Sequence, residues 1–353
     1  MDILDDLQKQ ATIDKDNLYH KMINLPEQIL NAYQKPEIIR GQFSGVKGPG
    51  TVKRVVTCGM GGSAVAGDIA VSAFGTKMPF SSVKDYKIPF LNQDTLVIIL
   101  SYSGNTAEAL ECLQQAIART EHIAAVTSGG KLAELVKKRY NWVRIPSGYP
   151  PRAAIGYLFF SLMRLLEIFA VIPDHSATIP RIVANLVKKA SAIANSVPAA
   201  RNLAKSTALE IFGKIPIIYA EDPQLLPLAY RWKSQINENA KYPAFCHFVP
   251  EMNHNEIEGW ESDKYVSSFI PIFLRRLEQQ EEYSKRIHAF RNLIADWGIE
   301  SLDFFTEGDK LIEKIFSLIY LGDMVSYYLA LLQNIDPGEI RFIRELKKSI
   351  EKK

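Results

Sequence analysis

Paired cysteines, a dominant sign of charge and a long uninterrupted apolar run are all missing from this 353-residue chain. The three cysteines, Cys58, Cys112 and Cys246, have no paired spacing. Cys58 and Cys112 fall in apolar elements, so free buried thiols in a reducing compartment are expected rather than a disulfide framework. Lysine plus arginine number 42 against 39 aspartate plus glutamate; that balance offers no dedicated nucleic-acid surface. No apolar run approaches the roughly 20 residues that span a bilayer. The start, Met1-Asp-Ile-Leu-Asp-Asp-Leu7, lacks the basic-then-apolar layout of a signal peptide. A soluble cytoplasmic protein with neither nucleic-acid nor membrane partners is expected.

Several catalytic signatures are missing too. Gly59, Gly61 and then Ala64 only approach the dinucleotide fingerprint G-x-G-x-x-G, and no acidic residue follows at the required distance. No lysine precedes Ser63, so the same loop is not a Walker loop. His-Glu-x-x-His is absent, and His254-Asn-Glu256 with Glu258 is a poor metal set, because His247 lies in a strand rather than one helical turn away. No activated serine triad appears.

What remains is a mixed α/β pattern. At 47% hydrophobic, the chain can fill about two domain cores. Leu96-Val-Ile-Ile-Leu100 reads as a buried parallel strand, since five consecutive apolar residues leave neither face for solvent. Ser101-Tyr-Ser103-Gly-Asn-Thr106 follows, then the helical pattern from Ala107 to Leu113. Asn105 with Glu108 fits a capping box. A strand-to-helix turn of this kind is an anion site, because free N–H groups and the positive helix end face it. Two readings fit: a hydroxyl-rich cap, or a phosphate cradle. Val52–Cys58 is another strand, followed by Gly59-Met-Gly61-Gly62-Ser63, whose glycines allow close backbone approach. Strands at 122–127 and 142–145 continue a βαβ rhythm with right-handed crossovers, a doubly wound parallel sheet. Arg152 stands on a loop after Pro150 and Pro151, either a surface residue or a fixed cation over a ligand.

Pro173 and Pro180 mark a boundary, and an alanine-rich linking helix follows, interrupted near Pro198. A second strand–helix series begins at Pro216. Its helix, capped by Asp222-Pro223, places Arg231, Gln235 and Glu238 on one face, of a kind normally solvated. After the strand 243–249 comes a loop dense in acid, amide and imidazole, Pro250 to Trp260. The end of a strand is where α/β sheets place chemistry. Asp336-Pro337-Gly338 is expected to cap a last helix carrying Lys347 and Lys348. A phosphate-like turn, a cation, a carboxylate and an imidazole suit general acid–base work on a sugar phosphate, aldose–ketose isomerisation being one case. Kinase-like and hydrolytic chemistries are disfavoured by the same inventory.

Gly61-Gly-Ser63, Ser101 to Thr106, Pro151-Arg152, Asn237-Glu-Asn-Ala-Lys-Tyr-Pro243 and Asn253-His-Asn-Glu-Ile-Glu-Gly-Trp260 together resemble the bifunctional phosphoglucose/phosphomannose isomerase family. The resemblance runs in order from about residue 40 to the C-terminus. It implies two doubly wound parallel-sheet SIS (sugar isomerase) domains with flanking helices. The expected division is an N-terminal helical arm 1–40, a first, phosphate-binding SIS domain 41–173, a linking helix 174–208 and a second SIS domain 209–353. By the same resemblance Ser63, Ser101, Ser103 and Thr106 hold the 6-phosphate, with Gly61 and Gly62 shaping the approach. Glu238 moves a proton between C1 and C2, and Arg152 holds the enediolate. His254 assists ring opening from the partner subunit, which implies a homodimer with a shared active site. Lys347 corresponds to the family's active-site lysine, and no metal or organic cofactor is expected. Relatives often read Asp-Pro-Thr-Pro where this chain has Asp336-Pro-Gly-Glu339, which bears on the balance between the two aldoses. A non-catalytic sugar-phosphate regulator on the same domain is the rival reading; residues 1–42 do not resemble a DNA-binding helix-turn-helix. Glucosamine-6-phosphate synthesis is disfavoured because no glutaminase domain precedes the pair.

Overall fold

Buried strands alternating with helices build both halves of the chain, as the computed structural model shows for residues 3–42, 50–75, 78–261, 264–278 and 280–351. There are two units, Met1–Ile23 with Lys188–Lys353, and Asn24–Val187. The first helices, α1 (Leu7–Ile13) and α2 (Leu18–Ile23), therefore group with the C-terminal half, whereas α3 (Leu25–Gln34) belongs to the other unit. The sequence reading has all of residues 1–40 as one arm.

The unit 24–187 continues with β1 (Glu37–Ile39), β2 (Arg54–Cys58), α4 (Gly61–Phe74), β3 (Phe80–Val83), β4 (Thr95–Leu100), α5 (Ala107–Ile117), β5 (Ile123–Thr127), α6 (Gly130–Val136), β6 (Asn141–Arg144), α7 (Ile155–Ile168) and the start of α8 (Ile179–Ile193). Its sheet has the order β1-β6-β5-β4-β2-β3, parallel except for the edge strand β1. From β2 the chain crosses to β3 on one side, and from β4 to β5 on the other. The order thus reverses between β2 and β4, and that switch point is where doubly wound sheets bind ligands. All six residues of β4 are buried, as five consecutive apolar residues require. Cys58 and Cys112 are free and buried in this core; their mutual hydrogen bond and burial push the Cys58 thiol up. The sequence reading omits β1 and β3, short strands that carry glutamate and two serines and so lack a continuous apolar signature.

The other unit adds α9 (Leu203–Ile211), β7 (Ile215–Ala220), α10 (Leu226–Ala240), β8 (Phe245–Phe248), α11 (Val249–Met252), β9 (Phe269–Arg275), α12 (Glu281–Ala295), β10 (Leu302–Phe305), α13 (Leu311–Leu332) and α14 (Arg341–Glu351). Its sheet, β10-β9-β7-β8, is wholly parallel. The fold is α/β with two parallel-sheet SIS domains and flanking helices. By length and composition α13 is apolar enough to cross a bilayer, a feature hidden from a search for unbroken runs by Glu313, Lys314 and Asp323. It is almost wholly buried, packed on α9, α10 and α2 as a core helix.

Candidate active site

The two turns at the switch point follow the carboxyl ends of one parallel strand pair, in which Cys58 is in register with Ile99. After β2, α4 begins at Gly61 with no side-chain cap; after β4, α5 begins beyond Thr106, again with no side-chain cap. Both helices therefore start beside adjacent strand ends with no side chain capping them, although the Ser63 N–H bonds the Met60 carbonyl; helix starts of this kind favour an oxyanion. Ser63, almost wholly buried, accepts a hydrogen bond from the Tyr102 N–H at 3.3 Å. The Ser101 hydroxyl donates to Thr106 Oγ1 at 3.1 Å, and Ser103 Oγ accepts from the Asn105 N–H at 3.3 Å. Gly61, Gly62, Ser63, Ser101, Ser103 and Thr106 are thus gathered around one switch point. The expected capping box is not formed: Asn105 Oδ1 instead accepts from the Lys131 N–H at 3.0 Å, drawing the turn onto α6. Asn105 is committed to that longer-range tie, so Thr106 takes the cap position.

Arg152 comes to the same place. It lies in a short 3-10 turn, Pro151–Ala153, is 3% exposed, and its backbone abuts Gly62. A Cβ on Gly62 would sit 2.8 Å from the Pro151 oxygen and 3.1 Å from the Arg152 nitrogen. Gly61 has open space around it but adopts φ +52°. Gly62→Ala is expected to cost about 1–3 kcal/mol, because backbone must move. Gly61→Ala is expected to cost about 1–2 kcal/mol from the left-handed conformation alone. Thermal midpoints of the two variants check both costs; an unchanged midpoint in Gly62→Ala would contradict the close-approach account.

Tyr102 is a positioning residue that the sequence reading passes over. Its phenol donates to the Pro146 carbonyl at 2.8 Å and accepts from the Tyr149 N–H at 2.8 Å, which ties the hydroxyl turn to the segment leading into Arg152. A large ring inside a Ser/Gly/Asn/Thr turn is the signal that could have revealed it. From α3, Gln28 donates to the Ala153 carbonyl at 2.8 Å and fixes the other side of that turn.

In the other unit Glu238 lies near the end of α10, half-buried, and lines a cavity of about 790 Å³ with Asn237, Lys241, Tyr242, Pro243, Ile335 to Asp336 and Glu339 to Ile343. Its neighbours in the motif hold the surrounding fold. Asn237 donates to the Tyr242 carbonyl at 2.8 Å, and buried Asn239 donates to Ser326 Oγ at 2.9 Å. Lys241, left-handed at φ +53°, donates to the Asn239 and Asp336 carbonyls. Arg231 and Gln235 do not form a solvated face. Both are buried and donate to the two oxygens of Asp323 on α13, at 2.6 and 2.9 Å. Burial raises the Asp323 carboxyl, and the Arg231 charge with both hydrogen bonds opposes that rise.

His254 is exposed on the turn after α11, its N–H donating to the Glu251 carbonyl at 3.0 Å. Lys347 is exposed on α14 and does not line the Glu238 cavity. Asp336 Oδ1 accepts from the Gly338 N–H at 2.8 Å, closing a turn before α14 rather than capping it. The carboxyl ends of β7 and β9 in this unit carry charges already paired. Arg276 donates to Asp222 and Gln224, and its N–H to Glu221; Arg275 donates to Asp303 and Ser284. Among the described residues no three His, Cys, Asp or Glu side chains are grouped to hold a metal ion.

A family profile described as the bacterial phospho-glucose isomerase C-terminal SIS domain matches residues 200–350, and the SIS domain profile matches residues 51–189. The bifunctional phosphoglucose/phosphomannose isomerase of Caldicellulosiruptor bescii is 38% identical over 94% of this chain and 98% of its own. The chain belongs to the bifunctional phosphoglucose/phosphomannose isomerase family. The Thermoplasma acidophilum member is 34% identical over 88% of this chain and 93% of its own. A D-glucosamine-6-phosphate 4-epimerase of Sulfolobus acidocaldarius is also similar, 31% identical over 92% and 97%. Among solved structures, a glucose-6-phosphate isomerase-like protein of Thermus thermophilus shares the fold, with a TM-score of 0.64 at 17% identity and 99% coverage of both chains.

Proposed function

We propose that the protein is a cytoplasmic, metal-independent aldose–ketose isomerase that interconverts glucose 6-phosphate or mannose 6-phosphate with fructose 6-phosphate. The observation that carries this reading is the placing of Glu238: a half-buried carboxylate lines a cavity at a helix end whose shape Asn237, Asn239 and Lys241 hold. In this reading the 6-phosphate sits on the uncapped turns with Ser63, Ser101, Ser103 and Thr106, where Gly61 and Gly62 admit it. His254, given by the partner subunit, opens the ring by moving a proton at the ring oxygen. Glu238 then removes the C2 proton of the aldose, and the C1 carbonyl becomes the enediolate oxygen, held by Arg152. The same carboxyl returns the proton to C1 as the O2 hydroxyl proton passes to the enediolate oxygen O1, giving the ketose with its C1 hydroxyl. Lys347 serves this site from α14 in the assembled homodimer. The exposed Phe342, Leu346 and Ile350 on one face of that helix support a partner subunit.

Asp336 and Glu339, which line the Glu238 cavity, flank Gly338, the position where the family resemblance would put a threonine. A shift in preference between the two aldoses follows from that exchange.

A coupled assay with both aldose phosphates in EDTA tests the reading. Turnover of at least one, unchanged by the chelator, is expected. Binding without turnover would favour the regulator, and epimerisation of glucosamine 6-phosphate in its place would favour the activity named for the Sulfolobus relative. Sedimentation should show a dimer; a fully active monomer would rule out a shared His254.

A further inference from the structure

The turn that carries His254 is held at both ends by the apolar core. Met252 before it and Trp260 after it are buried, and they pack with Tyr219, Phe273 and Phe290. Apolar packing of the ends does not set the path of the residues between them. One polar tie does reach the middle. The Tyr219 phenol donates to Glu256 Oε1 at 2.5 Å, and Trp260 Nε1 donates to the Tyr219 oxygen at 3.2 Å. The phenol is thereby committed in both directions, donor to the carboxylate and acceptor from the indole. Tyr219 itself is fully buried on β7, an interior strand between β8 and β9, and stacks on Phe273 at 5.4 Å between ring centroids. Burial and the Glu256 charge push its phenol well up, so it stays a donor. The second oxygen, Glu256 Oε2, lies 3.9 Å from His247 Nδ1 on β8.

A buried tyrosine needs only some acceptor for its hydroxyl. A half-exposed carboxylate is a costlier choice than a backbone carbonyl, because part of its hydration is lost. It also makes a charge-assisted bond, about twice as strong as a neutral one. Here that stronger bond falls two residues from His254. We propose that Tyr219 and Glu256 are positioning residues, which pin the 253–259 turn to the rigid sheet and thereby aim the exposed His254 imidazole. The proposal rests on the reading of His254 as the ring-opening group.

The test is a double-mutant cycle with thermal midpoints followed alongside. In the otherwise wild-type enzyme, Glu256→Ala is expected to lower kcat by roughly 10- to 100-fold, the penalty of misplacing a catalytic group by about 1 Å. KM should stay within about twofold, since misplacement of His254 leaves the assigned phosphate turns intact. Glu256→Gln, which keeps an acceptor for the phenol, should recover most of the loss. In a His254→Asn background Glu256→Ala should cost nothing further. Hydrogen exchange of residues 253–259 should quicken in Tyr219→Phe, which keeps the ring and removes the donor. An equal loss in both backgrounds, or unchanged exchange, overturns the proposal alone. Wild-type turnover in His254→Asn overturns the ring-opening reading as well, and so separates the two failures.

Discussion

Glu238→Gln is expected to lower turnover by roughly 10²- to 10⁴-fold, the range that a positioned general base contributes. The substitution is close to isosteric, so the end of α10 should keep its shape: Asn237, Asn239 and Lys241 hold that turn without the carboxylate. The amide keeps the size of the carboxylate and an acceptor oxygen on a half-buried side chain, so the thermal midpoint should change little. Binding of a non-reacting hexose 6-phosphate analogue should also persist, because the phosphate is assigned to turns that the change does not touch. The expected signature is therefore a fall in kcat with KM and stability nearly unchanged, the pattern of a group that acts in the transition state. Steady-state kinetics of the purified variant decide it. Wild-type turnover would remove Glu238 from the chemistry, and loss of binding with turnover would make it a substrate-holding residue.

The second large effect is structural. Asp323→Ala would leave the Arg231 guanidinium, 2% exposed, without the carboxylate that now accepts from it at 2.6 Å. Gln235 would lose its acceptor at the same time. Removing one partner of a buried ion pair costs about 3–5 kcal/mol, since the remaining charge stays desolvated. At roughly 2–4 °C per kcal/mol for a unit of this size, the midpoint should fall by about 10 °C. Asp323→Asn should be milder, because an amide oxygen still accepts. The double variant Arg231→Met with Asp323→Leu should recover part of the loss, since it removes the buried charge but leaves buried Gln235 without its acceptor. Calorimetry of the three variants separates a buried-charge penalty from a simple packing defect, for which the double variant would be worse than either single one. Turnover should fall with Asp323→Ala as well, since α10 carries both Arg231 and Glu238.

The contrast between these two residues shows which features are legible in a linear chain. The apolar run 96–100, the glycines at 59–62 and the hydroxyls at 101–106 are contiguous, and the strand-turn-helix they form needs only local geometry and burial to specify it. Asn105 shows the limit of that locality. Its spacing to Glu108 fits a cap, yet a backbone N–H 26 residues away, on Lys131, takes its oxygen. Arg231 and Gln235 show the same limit on a helix face: three-and-four spacing establishes that they lie together, and solvent is the default occupant of a polar face. Their actual neighbour, Asp323, follows 92 and 88 residues later.

By itself the sequence determined the α/β class, written in alternating short patterns of polarity and glycine; its motifs, through their resemblance to a known family, pointed to two SIS domains and offered Glu238, Arg152 and the hydroxyl turn as candidates. Only the tertiary structure decided which partners the buried polar groups take. The reason is physical: a polar side chain must find a partner when it is buried, and the partner is supplied by packing between elements distant in the chain. Asp323 for Arg231, Pro146 for Tyr102 and Glu256 for Tyr219 are partners of that kind, and none is visible from spacing.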